Sequence, residues 1–327
     1  MKPRTRNDGI EVLRCGLMFG ICLLHAVTQG GHCRAWAANL LTWCVPAFVF
    51  ISGWFGIRFK GAKVLKLYGV GLYCAVVFCL FDSVCRGAFD GCPFVRRVWS
   101  ITVGQWFLNA YVLLMCFAPL LNEACAKVVE MWAEDRRSAL AIIAPLLFCA
   151  FGWAFALTLP IVPRYLPQSA GVTAYSALTL MGVYVVARIG RGLYDAGRLP
   201  RANSVRLIFI ALASLILASI GFGDYNSPFS LVISAIAFYA AFHLPVPKAI
   251  GRLGALLGPS MFSVYLLHSH GYGWCYLQHL EDYCLENLHF PLFFAYCTVA
   301  LVVFGVCVLA DLLRRLCVMR YRKSNGS

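Results

Sequence analysis

Ten apolar stretches, each close to the roughly 20 residues that a membrane-spanning helix needs, leave this chain few structures to choose from. In a bilayer core every backbone N–H and C=O must be satisfied internally, so such stretches fold as helices. They run at about 9–28, 36–57, 67–85, 103–121, 139–159, 173–190, 206–222, 228–245, 256–272 and 290–313. The wider composition agrees: 61% of the 327 residues are hydrophobic and 13% are charged, which excludes an ordinary soluble domain. The expectation is an all-α, polytopic transmembrane bundle, with residues 1–327 forming a single integral membrane domain.

A net charge of +14 would suggest nucleic acid in a soluble protein. Here the basic residues sit in short segments between apolar runs, a topological pattern, so no nucleic-acid partner is expected. Of the 28 Lys and Arg, 22 fall in the segments that share a side with Lys2, Arg4 and Arg6, and five (Arg34, Arg86, Arg96, Arg97 and Arg164) fall on the other. The positive-inside rule then places both termini in the cytoplasm. The basic start followed by an apolar run resembles a signal peptide, but Glu11 and Arg14 interrupt the run, so it reads as a retained first span. The glycosylation pattern at Asn325 lies on the basic tail and is expected to be unused. Most of the 16 cysteines, among them Cys15, Cys22, Cys74, Cys79, Cys116, Cys149 and Cys307, lie in apolar runs and read as small packing residues. Cys33, Cys92, Cys275 and Cys284 fall in loops, where pairing is open. No CxxC motif supports a zinc or redox site, and no metal is expected.

The first span carries Glu11, Arg14 and His25. Each such residue costs at least about 2 to 3.5 kcal/mol at a helix centre, so an intramembrane ionisable group is a functional-site hypothesis by default. Arg14 and His25 are almost three whole turns apart, on one face and about 16 Å apart along the axis. Glu11, one turn before Arg14, can pair with the guanidinium and lower the cost of burying it. A neutral imidazole in an apolar bundle offers a ring nitrogen as proton acceptor, the requirement for a general base. The plainer alternatives are a core histidine bonded to a carbonyl and an arginine snorkelling to the interface.

Other stretches add candidates. VPAFVFISGWF, residues 45–55, brings Ser52 and Gly53, where the glycine permits close approach of another helix or of a ligand. Arg58, Lys60, Lys63 and Lys66 follow as a cationic cluster, which suits topology and a phosphate-bearing ligand equally. Gln105 and Asn109 flank Trp106, and Tyr265 and His268 lie one turn apart in the ninth stretch. The start of the fourth stretch, SITVGQWFLNA, mixes polar and aromatic residues as an interfacial segment would. Gly271 to His289 is the longest outer loop.

Together these residues resemble the acyltransferase family 3 of integral membrane proteins. The resemblance rests on Arg14 and His25 with ten residues between them, preceded by Glu11, on FVFISGWF, KVLKLY, QWFLNAYVLL and FSVYLLH, and on their order along essentially the whole chain. It implies transfer of an acyl group, commonly acetyl, from cytoplasmic acyl-CoA to a hydroxyl of an envelope glycan or lipid-linked saccharide. The enzyme would sit in a bacterial inner membrane among its lipids, with no permanently bound cofactor. By position, His25 would be the catalytic histidine and Arg14 its essential partner. Lys63 and Lys66 stand where the family places basic residues that meet CoA phosphates; the usual arginines are lysines here, which keeps charge but loses bidentate geometry. Gln105 stands where a histidine is often found. Glu11, Ser52, Trp106, Tyr265 and His268 complete the candidate binding set. The competing reading from the residues alone is a transporter with Glu11, Arg14 and His25 on an ion or proton pathway, although no inverted repeat is visible.

Overall fold

The computed structural model describes residues 7–30, 32–89, 91–147, 168–198, 204–219, 227–243 and 245–324. Lys2, Arg4, Arg6, Arg164, Arg201, Cys149, Asn325, most of the expected fifth span and the end of the seventh lie outside them. Among the described residues the structure is helical, with no strand. The helices are α1 (Asp8–Gln29), α2 (Ala35–Asn39), α3 (Cys44–Phe55), α4 (Gly61–Arg86), α5 (Gly91–Gly104), α6 (Trp106–Glu134), α7 (Arg136–Leu147), α8 (Gln168–Asp195), α9 (Ser204–Leu217), α10 (Pro228–His243), α11 (Lys248–Leu257), α12 (Met261–His268), α13 (Gly271–Asp282) and α14 (Leu292–Ser324). Six described segments are long and apolar enough to cross a membrane: Asp8–Gln29, Ala35–Phe55, Gly61–Arg86, Trp106–Glu134, Lys248–His268 and Leu292–Arg320. Leu207–Leu217 and Pro228–His243 are apolar but shorter.

Several segments depart from the sequence expectation, among them the ninth span, expected at 256–272, which is built from α11, a 3-10 turn at Gly258–Ser260 and α12. The second span is two helices, α2 and α3, rather than one. Restarting at Cys44 puts Pro46 in the first turn of α3, where its missing N–H leaves no helical bond unmade. The stretch after Arg86, expected to be a loop, forms α5, and α6 starts afresh at Trp106 after a break at Gln105. The loop from Gly271 to His289 is largely the helix α13, followed by a π-helical turn, Tyr283–Asn287.

The described chain divides into two compact units. The first comprises Met1–Leu41, Leu67–Gln105 and Ala241–Ser327, and the second Thr42–Lys66 and Trp106–Ala240.

In the first unit α1 is the central element. Asn7 caps it, its Oδ1 accepting from the Ile10 N–H at 3.1 Å while its Nδ2 donates to the Phe242 carbonyl at 3.2 Å. Asp8 and Glu11 place negative charge in its first turn, where the helix dipole favours it. Helix α11 approaches α1 closely through Gly254, where a Cβ would stand 3.0 Å from the Val12 backbone nitrogen. Helix α13 lies over the end of α1: Leu277 is buried with Ala26 and Val299, flanked by Trp274 and Leu280.

In the second unit α3 packs against α8. A Cβ on Gly53 would meet the Tyr184 carbonyl oxygen at 2.6 Å, so the glycine serves close helix packing, one of the two uses its position suggested. Aromatic rings fill the contact further along, with Phe238 of α10 4.9 Å from Trp54 and 5.3 Å from Phe50.

The cysteines are less uniform than their apolar settings suggest. Cys22, Cys74, Cys79 and Cys307 are buried free thiols, Cys15 is half-buried, and Cys116 is exposed. Cys33, Cys275 and Cys284 are free, which corrects the possibility that they pair with one another. The side chain of Cys92 lies outside the description.

Candidate active site

Five of the candidate residues belong to the first unit: Glu11, Arg14, His25, Tyr265 and His268. They form two stations. Near the start of α1, Glu11 is 5% exposed and accepts from Arg14 Nη1 at 3.0 Å, the pairing its spacing foretold. The guanidinium keeps 34% of its side chain exposed, so the pair is buried at its anionic end and open at its cationic end.

The second station is the contact of His25 with His268. The two rings lie 4.9 Å apart, centroid to centroid, inclined at 54°. Tyr265 stands edge-on to His268 at 6.3 Å, which completes a cluster of three rings from α1 and α12. His268 Nδ1 lies 2.6 Å from the Val264 carbonyl. A carbonyl only accepts, so Nδ1 carries the proton and Nε2 holds a lone pair. That Nε2 is buried and meets no hydrogen-bond partner within the protein, as is also true of His25 Nδ1. Buried polar atoms nearly always find a partner, so two such nitrogens on neighbouring rings make this contact the candidate for meeting a ligand.

The helix carrying Tyr265 and His268 is held at its end by Gln105. This side chain, 3% exposed, donates from Nε2 to the Leu266 carbonyl at 3.2 Å, and its Oε1 accepts from Ser269 Oγ at 3.3 Å. The sequence marked Gln105 as an amide beside Trp106 and as a substitution for a histidine; its two bonds tie down the end of α12. His270 follows two residues after His268. Its Nε2 donates to the Leu267 carbonyl at 3.0 Å, and its ring meets Phe78 edge-on at 4.1 Å.

The remaining candidates, Ser52, Lys63, Lys66 and Trp106, belong to the second unit. The Ser52 hydroxyl donates to the Phe48 carbonyl at 3.1 Å and lies 3.2 Å from the Tyr111 hydroxyl. Trp106 opens α6 and meets Phe107 edge-on at 5.6 Å. Lys63 and Lys66 are exposed in the first turns of α4, and Lys63 Nζ donates to the Arg58 carbonyl at 3.4 Å. The chain leading into this basic stretch is fixed by Tyr184 and Asn122. The Tyr184 hydroxyl donates to Asn122 Oδ1 at 2.7 Å and accepts from the Ile57 N–H at 2.9 Å. Asn122 Nδ2 closes the ring of bonds by donating to the Ile57 carbonyl at 3.0 Å. Gly56, with φ of +74°, makes the turn, and the Arg188 guanidinium lies beside it as a further cation that the sequence did not single out.

The arrangement can therefore accept a proton at a fixed imidazole in the first unit and offer several cations to an anion in the second. No curated protein and no solved structure is matched by the chain. A family model described as an acyltransferase domain matches residues 7–311, nearly the whole length. The chain belongs to acyltransferase family 3 and is an enzyme that transfers acyl groups, built on membrane-spanning helices.

Proposed function

We propose that this enzyme moves an acyl group, acetyl in the first instance, from cytoplasmic acyl-CoA to a hydroxyl of an envelope glycan or lipid-linked saccharide. Its place is the bacterial inner membrane, with ten spans and both termini in the cytoplasm. The observation that carries the mechanism is the His25–His268 contact, with its two buried ring nitrogens that meet no protein partner.

His25 is the general base. As the acceptor oxygen adds to the thioester carbonyl carbon, its proton passes to an imidazole nitrogen of His25. The tetrahedral adduct collapses with cleavage of the carbon–sulfur bond, and the imidazolium returns the proton to the CoA thiolate. Alcohol and acyl-CoA thus become ester and free CoA, with His25 unchanged. His268, fixed by its bond to Val264, holds the His25 ring in place and presents an acceptor nitrogen that stabilises the imidazolium while it exists. Tyr265 lies beside it. Arg14, kept on its face by Glu11, meets an anionic part of a substrate. Lys63 and Lys66 meet the phosphates of CoA, with Ser52 and Trp106 as further substrate contacts. Acyl-CoA is consumed in each turnover and is a donor substrate rather than a resident cofactor.

The test is transfer of label from acetyl-CoA to envelope glycan in membranes holding equal amounts of wild-type protein or His25→Ala. Label in glycan with the wild type alone supports the reading; equal labelling by both removes His25 from the chemistry. Label trapped on His25 without acceptor would replace direct attack by an acyl-enzyme route.

A further inference from the structure

A second polar cluster in the first unit takes no part in this chemistry. Asp82, 1% exposed near the end of α4, accepts from three donors: Arg86 Nε at 2.8 Å, Arg97 Nη1 at 2.6 Å and the Tyr276 hydroxyl at 2.8 Å. Burial, and then the bond to Asp82, push the Tyr276 phenol up to about 12, so it remains a donor at any physiological pH. One carboxylate thus fixes two guanidinium groups, each spending one nitrogen on it, and a positive charge is left over. Both arginines line a cavity of about 250 Å³ together with Ser83, Cys79, Pro93 and Phe94. The side chains of Arg86 and Arg97 are 51% and 32% exposed, so their remaining N–H groups are accessible.

The surroundings say what kind of anion can arrive. Helix α5 buries Val98 and Ile101 against Ala75, Phe78 and Cys79, while Val95 and Trp99 on its other side are 67% and 71% exposed. An amphipathic helix with two adjacent arginines and an exposed tryptophan suits the membrane interface. Guanidinium forks match the spacing of phosphate oxygens. We propose that this cavity binds the phosphate of a lipid-borne ligand, held by Arg86 and Arg97. Two sources share that chemistry, a phospholipid headgroup and the phosphate of a polyprenyl-linked saccharide. The second would make the cavity the acceptor's docking site and rests on the acyl-transfer reading; the binding itself does not.

The experiment is native mass spectrometry of the full chain in neutral detergent, with polyprenyl monophosphate, phosphatidylglycerol and, as the phosphate-free control, diacylglycerol. The wild type is expected to retain phosphorylated lipid about tenfold over the control, and Arg97→Gln to lose most of that excess, as loss of one charge-assisted contact would. Arg86→Gln, at a more exposed position, serves if Arg97→Gln misfolds. Preference for polyprenyl monophosphate over phosphatidylglycerol identifies the acceptor carrier, and equal retention identifies a membrane-lipid site; either bears the proposal out. Equal retention of diacylglycerol, or unchanged binding in a folded Arg86→Gln protein, overturns it. Lipid retention is read without turnover, so the outcome does not depend on whether His25 is the base.

Discussion

The imidazole pair of the first unit and the basic stretch opening α4 in the second are both candidate substrate contacts, yet they are built on opposite principles. His268 is buried, its proton placed by one short bond to Val264 and its helix tied down through Gln105. Lys63 and Lys66 are exposed, and only the chain ahead of them is fixed, through Tyr184, Asn122 and Ile57. On the proposed mechanism His25 must be held to fractions of an ångström, and the burial and hydrogen bonds of His268, the ring it packs against, would serve that end. A phosphate contact needs charge at roughly the right place, and exposed lysines meet that need with little structure behind them.

If this contrast is right, substitutions in the first region act on the rate and those in the second on affinity. The largest effect is expected from His25→Ala, which removes the proton acceptor and should lower turnover by about 10²- to 10⁴-fold with little change in the KM for acyl-CoA. His268→Ala leaves the base present but loosens it; a loss of about 10- to 100-fold in kcat is expected, again with KM kept. Steady-state kinetics on both variants would break the comparison if KM rose instead.

Gln105→Leu leaves the buried Leu266 carbonyl without its side-chain donor and the half-buried Ser269 hydroxyl without its acceptor, a cost of about 1 to 3 kcal/mol that a lowered Tm would report. Its activity should fall through the displaced His268 and not through acyl-CoA affinity. The smallest effect belongs to Lys63→Ala or Lys66→Ala. Each should raise the KM for acyl-CoA by about 2- to 5-fold, as for an exposed ion pair, and less so at high salt. Neither should alter the KM for acetyl-pantetheine, which lacks the nucleotide phosphates. An equal effect on both donors would detach the lysines from phosphate recognition.

The two regions were also unequally legible in the sequence. Helical periodicity put Glu11 and Arg14 in contact and set His25 on their face, because neighbours within one helix follow from spacing alone. The basic stretch was equally plain, since charge is visible without any fold. What spacing cannot supply is contact between helices: His268 was noticed for its place beside Tyr265, but its meeting with His25 depends on how α12 crosses α1. Gln105 stood out as an amide beside Trp106 and as a substitution, but its bonds to Leu266 and Ser269 were hidden because those partners lie far along the chain. Asp82 drew no attention inside an apolar run, as its three donors come from α4, α5 and α13. Helix α5 was readable in part, since Phe94, Val98 and Ile101 keep an i, i+4, i+7 pattern, but Arg96 and Arg97 among them made the stretch look like a loop. Gly53 was read correctly as a point of close approach because its missing side chain has one packing consequence whatever the partner.

The central claim, that His25 is the proton acceptor, is tested most directly by chemical rescue. Transfer of labelled acetyl to glycan would be followed in His25→Ala membranes as free imidazole is added, beside the wild type at matched expression. The account predicts a transfer rate at least about a hundredfold below wild type, recovering in part and in proportion to added imidazole. Transfer by His25→Ala at the wild-type rate, with no response to imidazole, would contradict it.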